Sequence, residues 1–515
     1  MVYLLVLIAG CASDMALPRA DSSWTSTNGT FPSPPRTDET ADGGTSEPED
    51  EARFASLPPS QTDVYVFVPN PQRDTVTRIR VDNLSVDTTP VGVDPQIVQT
   101  TPDYRTAVVF NRGEDSVSIL DAETLAQRKV DVRSHLNDLR LAPNGKWAVL
   151  WHNRANERPD DPPVDGLQSF NEASFVNLVT GEHFPMAVGY NPRMAVFTPD
   201  GSLAVVVSDA SLAKVDLTVS EPRPVLIELE DDVQDAPRAE EVILATNGSF
   251  AWVRQFGATE LLVVDLYTGV IEAIAAGVNP TDLDLSADGN EAIALARGSQ
   301  ELWVYQADDP SSVPHIVPLP AQASYGSLVI GPSDERGLLY STAHLQERYA
   351  VWDRTTDEVL ERPLVKPVAG IVVNPTGETA LVFHPQQNGP DTEPLFEDAW
   401  AITMISLHDL HSNPLRLPAE PTSLAHSTDG AYGFFIMDDQ PLLEVLDYST
   451  LLHDERVLRS VPEFIGVLPD LDLEDGDAPP AWVSQDHQLG RISFYDADED
   501  TIETLTGFEL NSEIE

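Results

Sequence analysis

Asn191-Pro192-Arg193-Met194-Ala195-Val196-Phe197-Thr198-Pro199-Asp200-Gly201-Ser202-Leu203-Ala204-Val205-Val206-Val207 is the stretch whose reading decides the fold. Two short apolar runs, Met194 to Phe197 and Leu203 to Val207, flank Pro199-Asp200-Gly201. Proline presets the backbone for a turn, aspartate bonds its own main chain, and glycine takes the φ > 0 position that closes the corner. The runs are β-branched and nearly continuous in apolarity, so they read as antiparallel strands covered on both faces.

The same corner recurs along the chain. It appears as Thr101-Pro102-Asp103-Tyr104, Ala142-Pro143-Asn144-Gly145, Ala245-Thr246-Asn247-Gly248 and Ser286-Ala287-Asp288-Gly289. It continues as Gly331-Pro332-Ser333-Asp334, Asn374-Pro375-Thr376-Gly377 and Ser427-Thr428-Asp429-Gly430, with a degenerate copy at Leu468-Pro469-Asp470. The spacing of about 40 to 50 residues is the period of a four-stranded propeller blade. Three further strands precede the first copy: Val64 to Val68, Thr75 to Ile79, and one before Val91. The expected fold is therefore all-β, a single β-propeller of four-stranded antiparallel blades with eight to ten blades. Two fused propellers are the alternative; no Pro/Gly/Ser-rich linker interrupts the repeats, which argues against them.

A third strand in many units ends in aspartate: Asp121, Asp216, Asp265, Asp353, Asp447 and Asp496. One carboxylate in six equivalent places is an architectural feature, an Asx-turn opening the hairpin to the outer strand, rather than a catalytic group. The pattern Pro-x-x-h-x-h-Thr-Pro-Asp-Gly, a return strand and a strand ending in Ile-Leu-Asp resembles the YVTN-type β-propeller repeat over roughly Thr62 to Phe508. Asn111, in Ala107-Val108-Val109-Phe110-Asn111, stands where that family's terminal Asn falls. The resemblance implies the fold. It leaves activity open, because the family includes binding, scaffolding and lactonase members.

Composition narrows the partners. The chain has 515 residues, with 84 Asp+Glu against 30 Lys+Arg, a formal net charge of -54. Such a surface repels nucleic acid and anionic lipid, so nucleic-acid binding is not expected. A single cysteine excludes intrachain disulfides and multi-cysteine metal motifs. Residues 1–10, Met-Val-Tyr-Leu-Leu-Val-Leu-Ile-Ala-Gly, are too short to span a bilayer and have the apolar core of a cleaved signal peptide. Leu7-Ile8-Ala9-Gly10-Cys11 resembles the lipobox of bacterial lipoproteins, which implies lipidation of Cys11, an anchor in the membrane and a place in the bacterial cell envelope, the outer membrane being the expected one. Residues 11–60 are rich in Ser, Thr, Pro, Gly and acids and read as a disordered tether spanning about 40 Å. Residues 61–515 are then the propeller.

Two connections after a return strand are long, His152 to about Asn171 and His384 to about Trp400. Both start with His behind an aromatic residue, and long polar loops on a rigid scaffold are where binding groups gather. The candidate ligand-binding residues are His152, Arg154, Arg158 and Phe170 in the first, and His384, Gln386, Gln387 and Phe396 in the second. In a large ring the two histidines would lie too far apart to share a metal ion. His408-Asp409-Leu410-His411 has close spacing but falls in a turn. The acidic run holding Asp470, Asp472 and Glu474 resembles a calcium loop whose Gly comes one place late, and leaves two readings open, Ca²⁺ or a solvated loop. No other cofactor is implied. Nucleophile-elbow, phosphate-loop and His-Glu-x-x-His motifs are missing from the sequence. The leading expectation is a lipid-anchored, non-enzymatic module that binds an envelope protein or glycan through the face carrying both insertions. The alternative is an envelope hydrolase or lactonase-like enzyme with its site at the propeller mouth, where convergent carboxylates with His would betray it.

Overall fold

The computed structural model describes residues 59–157, 170–229, 238–255, 257–320, 324–343, 345–469, 480–487 and 490–508. Within them the chain forms ten sheets of four sequence-consecutive antiparallel strands. The blades cover 60–90, 95–131, 138–187, 192–228, 239–275, 280–318, 327–363, 370–417, 421–457 and 462–506. The first strands of successive blades neighbour one another, as do 192–197, 239–244, 280–285 and 327–330, which places them innermost. Ten apolar clusters each join two consecutive blades. The last brings Val66 and Ile79 of the first blade against Trp482, Ile492 and Phe494 of the tenth. Ten blades with ten such seams make one closed ring. It closes without exchanging a strand: Gln61 donates to the Val467 carbonyl at 3.2 Å and accepts from Trp482 Nε1 at 3.3 Å.

The quoted stretch shows why the blades form. Pro192–Phe197 pairs with Leu203–Ser208, and all six residues of the second strand are buried. At the corner Gly201 has φ 64° and donates its amide to Thr198 O at 2.8 Å, while Asp200 Oδ1 accepts from Ser202 N at 3.0 Å. Where the corner lacks glycine, Tyr104 and Asp334 take the same left-handed position, at φ 59° and 60°. Corners of adjacent blades are tied together: Asn144 Nδ2 donates to Gly201 O at 2.8 Å, and Asn374 Nδ2 to Gly430 O at 3.0 Å. Hydrogen bonds thus link neighbouring corners on this face.

The aspartate column is also structural. Each of Asp121, Asp216, Asp265, Asp353, Asp447 and Asp496 accepts, through Oδ1, a backbone amide two or three residues ahead, at 2.8–3.2 Å. In the third blade Asn177 does the same. The first blade explains the three extra leading strands: its innermost strand is only Ser60–Gln61, too short to read from a pattern.

Six innermost strands begin with a register shift, so that Gln96, Arg193, Glu240, Thr281, Thr422 and Glu463 are each left out of the ladder. Five of the six open on proline, which has no N–H to give and is tolerated at a strand start. Bulged residues are re-aimed relative to their neighbours. Elsewhere the open inner edge is covered by the preceding blade: Gln99 Nε2 reaches Leu139 O at 3.0 Å, and Asp282 accepts the Leu328 amide.

Candidate functional site

The two insertions leave from the same strand position, after Trp147–Trp151 in the third blade and after Thr379–His384 in the eighth. Strand direction repeats from blade to blade, so both emerge on the face opposite the corners. Third and eighth are five steps apart in a ring of ten, on opposite sides of the central channel. His152 and His384 accordingly share no partner.

The root of the first insertion is a lattice of short bonds. His152 is almost fully buried; its Nδ1 lies 2.7 Å from the His135 carbonyl oxygen and its Nε2 2.9 Å from Glu157. Phe170 meets the imidazole edge-on at 5.3 Å, and the Arg154 guanidinium lies 5.7 Å over the Phe170 ring. Asn153 caps the short turn Arg154–Asn156 by accepting from Ala155 N. Its amide nitrogen donates to Asp138 Oδ2 at 2.9 Å, and Asn156 Nδ2 donates to the same oxygen at 3.1 Å. Burial raises the Asp138 carboxyl above its ordinary range, and these donors pull it back. Arg158 lies outside the described residues.

Beside this root the structure opens a cleft of about 360 Å3 lined by Asn153, Arg154, Glu157, Asn191, Arg193 and Arg238. Three blades build it. Arg193 is the bulged residue of the fourth blade; it is held by the Ala239 carbonyl at 2.6 Å and lies 3.8 Å from Glu240. Arg238 donates from Nε to Glu240 at 2.6 Å and keeps about half its side chain exposed. Asn191 sits at φ 55°, donates to Asp209 Oδ2 at 2.9 Å, and has a buried Oδ1 with no hydrogen-bond donor.

The second insertion is packed down. His384 is fully buried, donating from Nδ1 to the Pro367 carbonyl at 2.8 Å and accepting at Nε2 from the Thr403 hydroxyl at 2.7 Å. Burial depresses this imidazole to about 4. Lys366, also buried, gives its ammonium to Asn388 Oδ1 at 2.9 Å, Phe396 O at 3.0 Å and Gln386 O at 3.4 Å. Burial pushes the amine down, and Asp398, Glu347 and Glu397 oppose that. From the seventh blade Glu347 accepts Asp391 N at 3.1 Å and the Thr392 hydroxyl at 2.9 Å. Phe396 lies buried in the turn Pro394–Phe396, whereas Gln386 and Gln387 stay exposed.

Five residues that matter at these loops escaped the sequence reading: Lys366 and Glu347 at the second, Asn191, Arg193 and Arg238 at the first. Only Lys366 carried a signal, being one of four lysines in the chain. Arg193 stood inside the quoted stretch and read as an ordinary strand residue, because a bulge has no local signature there.

Other candidates resolve differently. His408 and His411 are exposed and border a depression of about 520 Å3 on the corner face, with Arg336, Glu378 and Tyr448. Among the described residues no group of three His, Cys, Asp or Glu side chains is placed to hold a metal ion. Asp470, Asp472, Glu474 and Cys11 lie outside the described residues. At the mouth, Glu241 is held by Arg254 through two bonds of 2.6 and 2.8 Å, and Asp282 by the Leu283 and Leu328 amides.

No protein-family model and no curated protein matches the sequence. Among solved structures, the ring is similar to one described as a crystal structure of the eukaryotic initiation factor, at 11% identity over 77% of this chain and 97% of that one, TM-score 0.51. Weaker likenesses are to the dihydro-heme d1 dehydrogenase NirN in complex with DHE (17% identity, 68% and 73% covered, TM-score 0.43) and to the Myceliophteria thermophila Cps50 (Swd1) β-propeller domain (11%, 61% and 96%, TM-score 0.34). The likeness to the initiation factor is one of fold alone.

Proposed function

We propose that this chain is a lipid-anchored binding module of the bacterial cell envelope, presenting the face that carries residues 152–171 and 384–400 to an envelope protein or glycan. The observation that carries this reading is the cleft at the root of the first insertion. It gathers three guanidinium groups on the face that carries both insertions. The repeated carboxylates that could suggest catalysis are meanwhile used in turns. Anchoring rests on Leu7-Ile8-Ala9-Gly10-Cys11 and on the acidic tether behind it. Acyl chains contribute about 0.8 kcal/mol per buried CH₂, so a doubly acylated cysteine would hold the head at a membrane.

Two experiments test this. Cys11→Ser should move the protein from the membrane pellet to the supernatant; a Cys11→Ser protein that still pellets after a high-salt wash is anchored by something else. Replacing the exposed part of each insertion by a short Gly/Ser turn should weaken capture of envelope partners, most strongly when both are replaced. A folded double replacement that still captures every wild-type partner would remove the binding role from this face.

A second reading, a hydrolase or lactonase-like enzyme at the mouth, is favoured by one group, Asp138, whose buried carboxyl is shifted toward the protonated form next to the cleft. Ester or lactone turnover by the wild type that disappears in Asp138→Ala, with the melting temperature preserved, would support it.

A further inference from the structure

We infer that His152 holds a proton on both ring nitrogens, and that the second proton latches the root of the first insertion, so that the turn bearing Arg154 is held in mild acid and released as pH rises. The inference goes beyond the proposed binding role and stands on hydrogen bonds at the root, whatever partner the face binds.

A neutral imidazole has one N–H donor and one bare acceptor nitrogen. His384 is satisfied in that form: Nδ1 gives to the Pro367 carbonyl and Nε2 receives from the Thr403 hydroxyl. His152, at the matching place in the third blade, is not. Its Nδ1 lies 2.7 Å from the His135 carbonyl oxygen, and its Nε2 lies 2.9 Å from the Glu157 carboxylate. A carbonyl and an ionised carboxylate only accept, so the two contacts require two N–H groups on one ring. The imidazolium supplies both, and its bond to Glu157 is charge-assisted. Glu157 keeps 42% of its side chain exposed, so water solvates the carboxylate while the proton stays on the ring. With that proton gone, a bare nitrogen would face an acceptor at a ring only 4% exposed, which is costly.

The elements around the ring carry Arg154 and Glu157 on its own loop, Asp138 on the innermost strand, Glu172 on the third strand with Arg133 at 3.0 Å, and Asp115 accepting the His135 amide. Four carboxyls stand there against two guanidiniums, and the sequence that follows adds Asp160, Asp161 and Asp165 against Arg158, so the local field does not oppose a cationic ring. Glu157 ends the turn Arg154–Asn156, and Arg154 reaches over Phe170 and lines the cleft. The proton on His152 therefore sets how firmly the face presents Arg154. The bond is complete while the ring is doubly protonated and is lost as pH rises and the proton leaves, a change that imidazoles ordinarily make between about pH 5 and 8.

The test is hydrogen exchange of the full-length protein at pH 5.5 and pH 8.5, corrected for intrinsic exchange. Protection of the amides of residues 153–157 should fall roughly tenfold or more at the higher pH. Glu157→Gln should hold the turn equally at both, because its amide can donate to a bare Nε2. His152→Leu should be poorly protected at both, with the melting temperature checking the fold. Nitrogen-15 spectra of histidine-labelled protein, assigned with His152→Gln, should show both ring nitrogens of His152 protonated at pH 5.5. Equal protection of the wild type at the two pH values, an undiminished fall in Glu157→Gln, or a singly protonated His152 at pH 5.5 would each overturn the inference.

Discussion

The insertion of the third blade and that of the eighth start from the same strand position and begin with the same residue type, yet they are held in different ways. Among the described residues the first is fastened at its root, by Asn153 and Asn156 on Asp138 and by His152 between His135 and Glu157, with a cleft beside it. The second is clamped along its length by a buried ammonium and by a carboxylate from the blade before it. The difference teaches that loop length and polarity do not by themselves make a recognition surface. What decides is whether the polar groups are consumed internally. In the second loop Lys366, Asn388, Asp398 and Glu347 are consumed by each other and the backbone. In the first, Arg154 stays exposed beside Arg238 and Asn191.

The sharpest way to break this contrast is to delete the second loop. Replacing 385–398 with a Gly/Ser turn removes all three Lys366 acceptors and leaves a buried ammonium unpaired, which should cost about 3–5 kcal/mol in urea unfolding. Adding Lys366→Met should recover most of that. A deletion as stable as wild type with Lys366 intact would show that the clamp contributes nothing.

A second test uses pH. Burial holds the imidazoles of His384, at the foot of the second loop, and of His426 in the next blade at about 4, against an ordinary value near 6.5. The folded pKa is lowered, so the unfolded chain takes the proton first. Stability is complete above about pH 6.5 and is lost as pH falls toward 4, by up to about 3 kcal/mol per ring. The urea midpoint should therefore drop between pH 7 and pH 4.5, and His384→Gln should flatten part of that slope. Identical slopes in variant and wild type would mean that His384 is not buried as a neutral ring. Asp121, Asp216 and Asp353, whose carboxyls are held low by a threonine hydroxyl and by their amide donors, lose their contribution only further down the acid limb.

The scaffold that carries both loops is tested at Gly201. A Cβ there would stand 2.6 Å from the Asn144 side chain, and φ 64° disfavours a β-branched residue. Gly201→Val should cost about 1–3 kcal/mol by urea titration; no change in midpoint would mean the corner is not the closed turn described. The smallest effect belongs to the first loop. Asn153→Ala removes the cap on Ala155 and one donor to Asp138, and should cost about 1 kcal/mol, read as a small shift in melting temperature. A loss as large as the second-loop deletion would erase the distinction between root-fastened and clamped.

Much of the architecture was legible in the chain because it is local and repeated. A type of corner with Asp-Gly, strands of β-branched residues and an Asp two places before its own amide donor are written in consecutive residues, and copies reinforce one another. The period therefore announced the blades, and the two-residue strand Ser60–Gln61 was the part too short to carry a pattern. The loops were legible as insertions. Their chemistry was not, because it depends on residues contributed across blade seams: Glu347 from the seventh blade, Lys366 from the link to the eighth, Arg193 and Arg238 from the fourth and fifth.

By itself, then, the sequence determined a repeating all-β ring, its acidic surface and the two places where the repeat is interrupted, since hydrogen-bonded corners and apolar alternation act over a few residues. Only the tertiary structure decided that the ring has ten seams, that one interruption is locked and the other borders an arginine cleft. Which side chains satisfy one another is fixed by distances between blades, and residues such as Asn144 and Gly201, 57 positions apart, meet only once the ring has closed.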